Sequence, residues 1–436
     1  MAGKRHVIVG AGTAGINCIR TLRQLGDTGE ITLVSGEPPY SRMVLPYYLE
    51  HGISEAHAET VSARQFAKWD VKTHLGVKAA GLDPKANKLK LENGEELEYD
   101  DLLIATGSSA ARAPIPGADG PGVFSFWTLA DAKAVHRRIS KDAHVVMVGA
   151  GFISFTILNG VLARCGKLTI VEVAPRILPR MVDETGARLA TSWLERAGVT
   201  VLAGAKLKAV EERGGKPVAV FEDGKALEAD LVLMATGIRT NLDWLKDSGL
   251  EMRTGLVVDD QLRTSVPNVY AAGDVAESRN LLTGNHEIHA IETTAQEHGR
   301  VIGANMAGKA VKFAGSVLMN IVSIAGLDMA SFGTWDDANA EAIVGLDEQR
   351  GAYRKYLFTG EAMTGAIVVS PSNQTWMEND VGMVKGLVQA GTPLGQWKDF
   401  LRRKPFEIKK PFLAARTTAA LIPKTTLGGP TPAPWS

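Results

Sequence analysis

Cysteine is nearly absent from this 436-residue chain: there are two, Cys18 and Cys165. Two cannot build a disulfide framework, nor supply the four thiolates that an iron–sulfur cluster takes from one chain. An excess of charge of one sign is missing too. Lys and Arg number 48 and Asp and Glu number 48, so bulk nucleic-acid binding is not expected. No apolar run reaches the roughly 18 residues of a membrane span. Only Met1 to Arg5 precede the first apolar run, too few for a signal peptide, and with so little cysteine the cytoplasm is the expected compartment. What is present, 45% hydrophobic and 22% charged residues over this length, fits a globular protein of two to three domains.

The run His6-Val7-Ile8-Val9 reads as a buried parallel strand. It enters Gly10-Ala11-Gly12-Thr13-Ala14-Gly15, after which Ile16, Ile19, Leu22 and Leu25 trace a helix ending at Gly26. The next strand, Ile31 to Val34, is followed by Glu37, 22 residues after Gly15. Each part has a physical role in holding a dinucleotide. Gly10 makes the turn, Gly12 lets the backbone approach a pyrophosphate, and Gly15 lets helix pack on strand. The helix N-terminus, with Thr13 and Ala14, attracts phosphate, and the carboxylate accepts from ribose hydroxyls.

The pattern recurs. Val145 to Val148 leads into Gly149-Ala150-Gly151-Phe152-Ile153-Ser154, then a helix, then Leu168 to Val171 ending at Glu172. Ser154 takes the third glycine's place and is small enough for close packing. Gly149, Gly151 and Ile153 are candidate contacts of a second nucleotide. Glu172 suits the free 2′-hydroxyl of NAD(H) and disfavours the 2′-phosphate of NADP(H), although Arg176 and Arg180 lie nearby.

Further segments make a resemblance specific. Tyr99 to Gly107, which includes Ala105, Thr106 and Gly107, resembles the strand leaving the first lobe of two-dinucleotide-domain flavoproteins, and Leu231 to Gly237 repeats it. Thr264 to Asp274, with Gly273 and Asp274, looks like the second FAD fingerprint of the same proteins, and Tyr40-Ser41-Arg42 with Leu45 resembles their pyrophosphate-side stretch. The order is that of the pyridine nucleotide–disulfide oxidoreductase superfamily. The chain is nearest in character to nitrite reductase large subunits and to rubredoxin and ferredoxin reductases.

The resemblance implies an α/β fold with two Rossmann-like dinucleotide-binding domains and a C-terminal α+β interface domain. The FAD domain is split over 5–112 and 239–315, the NAD(H) domain spans 113–238, and the interface domain spans 316–401. FAD and NAD(H) are the implied cofactors. Asp274 is expected at a ribityl hydroxyl, Arg42 along the pyrophosphate, and Phe152 as an aromatic gate over the flavin. The backbone of Ala295, with the Thr293 and Thr294 hydroxyls, is expected at a helix N-terminus facing the flavin pyrimidine.

Departures from the family bear on mechanism. Where thiol-dependent relatives carry a redox cysteine this chain has Met43. Where ferredoxin reductases pair a lysine with a glutamate it has Tyr47 and Thr156. Thiol-based peroxide or disulfide chemistry is therefore not expected. His286, His289 and His298 lack the further ligands of a metal site, and none is expected. Both cysteines read as small core residues.

After Phe400 cations and prolines accumulate, and 402–436 is expected to be an extended basic arm without a core of its own. The arm and the missing thiol chemistry together suggest an iron–sulfur redox partner. In size and overall pattern the chain resembles the FAD/NAD subunit of a multisubunit aldehyde or 2-oxoacid oxidoreductase, such as those of phenylglyoxylate dehydrogenase and tungsten aldehyde oxidoreductase, and that role is the expectation. A homodimer through the interface domain is the expectation if no such complex forms. Two other readings stand beside it: a stand-alone NADH:acceptor reductase, and a non-catalytic NADH-sensing flavoprotein.

Overall fold

The structure, a computed structural model, describes residues 3–50, 52–372 and 376–421. Two five-stranded parallel sheets dominate the first three quarters of the chain. In the first, the spatial order is Val269–Ala271, Asp101–Ile104, Arg5–Val9, Glu30–Ser35, Val71–Leu75. In the second it is Thr200–Ala203, Lys167–Glu172, His144–Val148, Leu231–Met234, Val123–Phe124. The first sheet thus draws its edge strand from far along the chain, with the whole second sheet inserted before it. The central strands are buried on both faces, which is why they read as continuous apolar runs. Each is a Rossmann-like domain. A two-stranded ribbon, Ser108–Ala110 against Ile238–Thr240, carries the chain between them.

The helix Thr13–Gln24 packs along the helix Glu292–Met306, and glycine sets the spacing. A Cβ on Gly299 would lie 2.3 Å from the Ala14 carbonyl oxygen, and one on Gly303 would lie 2.7 Å from that of Cys18. The two backbones touch where any side chain would part them. Cys18 is fully buried in this seam with its Sγ 3.6 Å from the Met306 Sδ.

A five-stranded antiparallel sheet follows, in the order Met319–Ile324, Leu327–Gly333, Ala362–Pro371, Ala352–Thr359, Glu341–Asp347. One face shares a core with the second Rossmann-like domain, through Val322, Ile324, Met329, Tyr353 and Ile367. Polar contacts reinforce that joint: Asn159 bonds the backbone of Ser323 and Ala325, the Trp193 indole donates to the Ala325 carbonyl, and the Tyr353 hydroxyl donates to Asp183 at 2.7 Å. The other face carries Phe332, Tyr356, Phe358 and Val368 against C-terminal helices.

Those helices correct one expectation. The chain from 402 to 421 is not an extended arm: Gln396–Arg403, Lys409–Ala414 and Thr417–Leu421 are helices, the last two laid on the helix Trp376–Ala390 and the first on Lys409–Ala414 and the strand Glu341–Asp347. Composition suggested no independent core, and none forms. Instead Leu401 and Ile408 are buried in a core the sheet has already built, and Pro411 and Thr417 are buried as well. Residues 422–436 of the expected arm lie outside the described residues. No described helix is long and apolar enough to cross a membrane.

Candidate functional site

Both glycine loops are built the same way. Gly10 has φ +117°, and a Cβ there would sit 2.1 Å from the Ala105 carbonyl oxygen; a Cβ on Gly15 would sit 2.0 Å from the Gly10 oxygen. Gly149 has φ +97° with the Ala235 carbonyl oxygen 2.5 Å from its hypothetical Cβ. In contrast nothing lies within 4 Å of a Cβ on Gly12 or Gly151. The outer glycines are forced by packing, and the middle ones border open space.

Gly12 and Gly151 also cap the helices Thr13–Gln24 and Phe152–Leu162, and neither helix has a side-chain cap. The amides of Thr13, Ala14 and Gly15, and of Phe152, Ile153 and Ser154, precede the first intrahelical bonds, which Ile16 and Phe155 make. Two helices, of 12 and 11 residues, therefore direct uncapped N–H groups and positive dipole ends into open space beside a glycine. This arrangement fits dinucleotide pyrophosphates. Ser154 does more than stay small, since its buried Oγ donates to the Gly149 carbonyl at 2.6 Å and braces the loop.

The first loop meets three distant segments. A Cβ on Gly273 would contact Ala14 and Ala295 at 3.8 and 3.6 Å. The Thr13 hydroxyl donates to Glu292 at 3.4 Å. Asp274 is held by the Ser108 hydroxyl; burial pushes its carboxyl above the ordinary range, with the Ser108 bond and the Arg42 charge opposing. Arg42 is ion-paired to Glu37 at 2.8 Å, donates to the Trp127 carbonyl and lies over the Tyr40 and Trp127 rings. The Glu37 oxygen that takes Arg42 also accepts from the Tyr40 hydroxyl at 3.0 Å. Thr106 and Gly107 are bonded to Asn241 beside the ribbon: Asn241 donates to both of their carbonyls and accepts from the Thr106 hydroxyl. In the second domain Ala111 donates to the Gly237 carbonyl and accepts from the Thr236 hydroxyl.

Two contacts differ from expectation. The Ala295 amide is already bonded to the Ile291 carbonyl, so the helix-end amides ahead of the first intrahelical bond are those of Glu292, Thr293 and Thr294. The Thr294 hydroxyl is buried and shares a hydrogen bond with the Ser316 hydroxyl. Ser108, Trp127, Asn241 and His298 were not foreseen. Ser108 could have been, as the residue completing Ala105-Thr106-Gly107. Trp127 sits just before the capping box of Thr128 and Asp131, a sequence signal for a fixed loop. His298 is fully buried, and its Nδ1 accepts from the Gly273 amide at 3.1 Å. Burial drives its pKa down to about 3, so it stays neutral and serves as a fixed acceptor under the Gly273–Asp274 turn.

In the second domain Glu172 is 8% exposed, unlike a solvated strand-end acid. One oxygen accepts from the Ala150 amide at 2.6 Å and the other from the Ala174 amide at 2.8 Å. It clamps the glycine loop to the strand end. Phe152 is half-buried, leaning on the shared core, and Ile153 lends its carbonyl to the Thr156 hydroxyl. Met43 and Tyr47 are more than half exposed. Both cysteine thiols are pushed upward, chiefly by burial.

Two Rossmann-like domains, each with an uncapped glycine-loop helix, plus a sheet domain closing on them, define a reductase of the two-dinucleotide flavoprotein class. The chain belongs to the pyridine nucleotide-disulphide oxidoreductase family, whose model matches residues 4–299. It is similar to an NADH oxidase of Methanocaldococcus jannaschii, 33% identical over 71% of each chain. It is also similar to the NADH-dependent phenylglyoxylate dehydrogenase subunit epsilon of Aromatoleum evansii, 31% identical over 84% of this chain and 88% of that one. Its fold matches the covalent putidaredoxin reductase–putidaredoxin complex with a TM-score of 0.86, over 95% of this chain and 100% of that one, at 22% identity. The protein is an FAD-dependent NAD(H) oxidoreductase.

Proposed function

We propose that this chain is the electron-transfer subunit of a larger enzyme. In this reading it exchanges hydride with NAD(H) and single electrons with an iron–sulfur partner, and within an aldehyde or 2-oxoacid oxidoreductase it reduces NAD+. The observation that carries the reading is the fate of sulfur. Cys18 and Cys165 are buried with raised thiol pKa values, and Met43 stands exposed where thiol-dependent relatives hold their redox cysteine. A thioether forms neither disulfide nor cysteine sulfenate, so electrons leave to an acceptor outside the chain. The likeness to subunit epsilon over most of both chains supports an acceptor within a complex.

The residues take these roles. Gly10 to Gly15 and the Thr13 helix hold the FAD pyrophosphate, with Arg42 alongside. Glu37 accepts from the adenosine ribose once Arg42 shares it, and Asp274, set by Ser108 and His298, accepts from the ribityl chain. Ala105 to Gly107 back the loop, and Glu292 to Thr294 present a positive helix end to the flavin, with Ala295 packing behind. Gly149, Gly151, Ile153 and Gly237 border the NAD(H) pyrophosphate, and Phe152 covers the nicotinamide pocket. Bound FAD supplies hydride acceptance and one-electron release.

The test is affinity purification from a native host under anaerobic conditions. Expected is co-elution of iron–sulfur subunits whose absorbance NADH bleaches together with the flavin. A yellow chain that elutes alone and turns over NADH rapidly with oxygen would instead establish the second reading, a stand-alone oxidase, which the Methanocaldococcus relative favours.

Glu172 offers a separate check on the NAD(H) assignment. Glu172→Ala leaves the Ala150 and Ala174 amides without their acceptor, and a lost bond to a charged group is worth about 1.5–3 kcal/mol. The KM for NADH is expected to rise by about 10- to 100-fold with kcat changed far less. Steady-state kinetics with NADH measure this, and an unchanged KM would remove Glu172 from the site.

A further inference from the structure

We infer that the folded C-terminal helices form a rigid cationic docking face for an acidic iron–sulfur protein. The inference rests on the electron-transfer reading above and names where the partner seats. From Arg402 to Arg416 the chain carries six cations, Arg402, Arg403, Lys404, Lys409, Lys410 and Arg416, against the single carboxylate Glu407, in a protein whose formal net charge is zero. All six are exposed. Residues 422–436 add Lys424 and no Asp or Glu.

The charges divide into two sets. Arg402 is paired with Asp399 and Glu341, and Lys404 and Lys410 share Glu407. Arg403, Lys409 and Arg416 form no ion pair among the described residues. Leu413, 60% exposed, lies on the helix that also carries Lys409. Beneath them Leu401, Ile408, Pro411 and Thr417 are buried, so the backbone presenting the charges is anchored. Presenting a fixed face lowers the ordering cost of association, unlike an arm that must fold on binding.

A protein with a carboxylate-rich surface is the occupant these observations favour. Unpaired cations and an exposed leucine on one anchored segment offer the polar and apolar elements of a transient protein interface. A lipid surface is disfavoured. Burying one leucine contributes about 1.5–3 kcal/mol, and an interfacial helix needs a continuous apolar stripe that a six-residue helix with Pro411 turned inward does not offer.

The test uses the full chain with its flavin and the triple variant R403E/K409E/R416E, none of which touches either glycine loop. The probe is a purified acidic [2Fe–2S] ferredoxin, with benzoquinone as an uncharged control acceptor. Expected is a loss of about tenfold or more in the NADH-driven ferredoxin rate at low salt, shrinking toward the parent rate as salt rises, with flavin content and benzoquinone turnover unchanged. Equal ferredoxin rates in parent and variant overturn the docking face. A parent that never reduces ferredoxin, yet reduces benzoquinone, counts against the iron–sulfur partner reading itself. Loss of binding to phosphatidylglycerol vesicles in the variant, with ferredoxin rates unchanged, assigns the face to lipid and overturns the proposal as well.

Discussion

Gly10→Ala is expected to give a protein that retains no FAD and denatures well below its parent, while Gly12→Ala gives one that folds normally and binds FAD poorly. The two glycines are two residues apart, and their surroundings differ in kind. Gly10 has φ +117°, where an L side chain is strained, and its new Cβ would lie 2.1 Å from the Ala105 carbonyl oxygen and 2.6 Å from the carbonyl carbon. Neither backbone can retreat. The Gly10 amide is bonded to Val34 and the Ala105 amide to Val9, each at 2.8 Å, at the carboxyl ends of central strands of a parallel sheet. Backbone strain alone contributes about 1–3 kcal/mol, and the clash takes the total past roughly 4 kcal/mol, among the largest effects of a single substitution. Gly12 has φ −75° and ψ −174°, open to any residue, and nothing lies within 4 Å of its Cβ. Its methyl would disturb no protein contact and would fill the space where a pyrophosphate approaches the helix amides. Thermal melts and flavin absorbance after gel filtration separate the two effects. A Gly12→Ala protein that kept its full complement of flavin would mean that the pyrophosphate lies elsewhere.

That pair also shows which parts of the molecule could be read from sequence. The glycine loops were legible because each glycine answers a local steric demand: a positive φ, a close carbonyl, or an approach to open space. The parallel strands were legible because burial on both faces leaves no alternation to confuse them. Less was legible where a contact depends on chain far away. Asp274 was identified from its own segment, but its bond to Ser108, and the His298 ring beneath Gly273, come from strands and helices brought together only by folding. The edge strand Glu341–Asp347 is hard to read in the sequence because only Ile343 and Gly345 of its seven residues are buried, so its apolar pattern is thin. Gly345 is fixed by a neighbour beyond its own sheet: a Cβ there would lie 2.3 Å from Pro405. The C-terminal helices were read as an arm for the same reason. Their composition is that of a segment without a core, and the core they use belongs to the sheet.

Arg354→Met is expected to destabilise the C-terminal domain by about 3–5 kcal/mol, because it leaves one half of a buried ion pair behind. Arg354 is 3% exposed on the strand Ala352–Thr359. It donates to the Tyr353 and Val369 carbonyls, pairs with Asp380 at 3.2 Å, and lies over the Phe406 ring at 5.5 Å. One side chain thus ties two strands, the helix Trp376–Ala390 and the Phe406 turn within the cationic segment. Burial already pushes the Asp380 carboxyl above its ordinary range, and Arg354 holds it partly down. Without Arg354 the carboxyl rises further. A carboxyl whose folded-state pKa exceeds its unfolded value adds stability below the unfolded pKa and loses it as pH climbs through the folded one. The deficit of Arg354→Met should therefore be small near pH 4, about the unfolded value for Asp, and grow toward pH 7. Urea denaturation of parent and variant at both pH values measures this. The double variant R354M/D380L removes the stranded charge and is expected to regain most of the loss, since replacing a buried pair by apolar groups is often neutral. A pH-independent deficit that the double variant failed to repair would mean that the guanidinium acts through its carbonyl bonds and Phe406 alone. The cationic face would then depend on packing around Arg354 and not on the charge of Asp380.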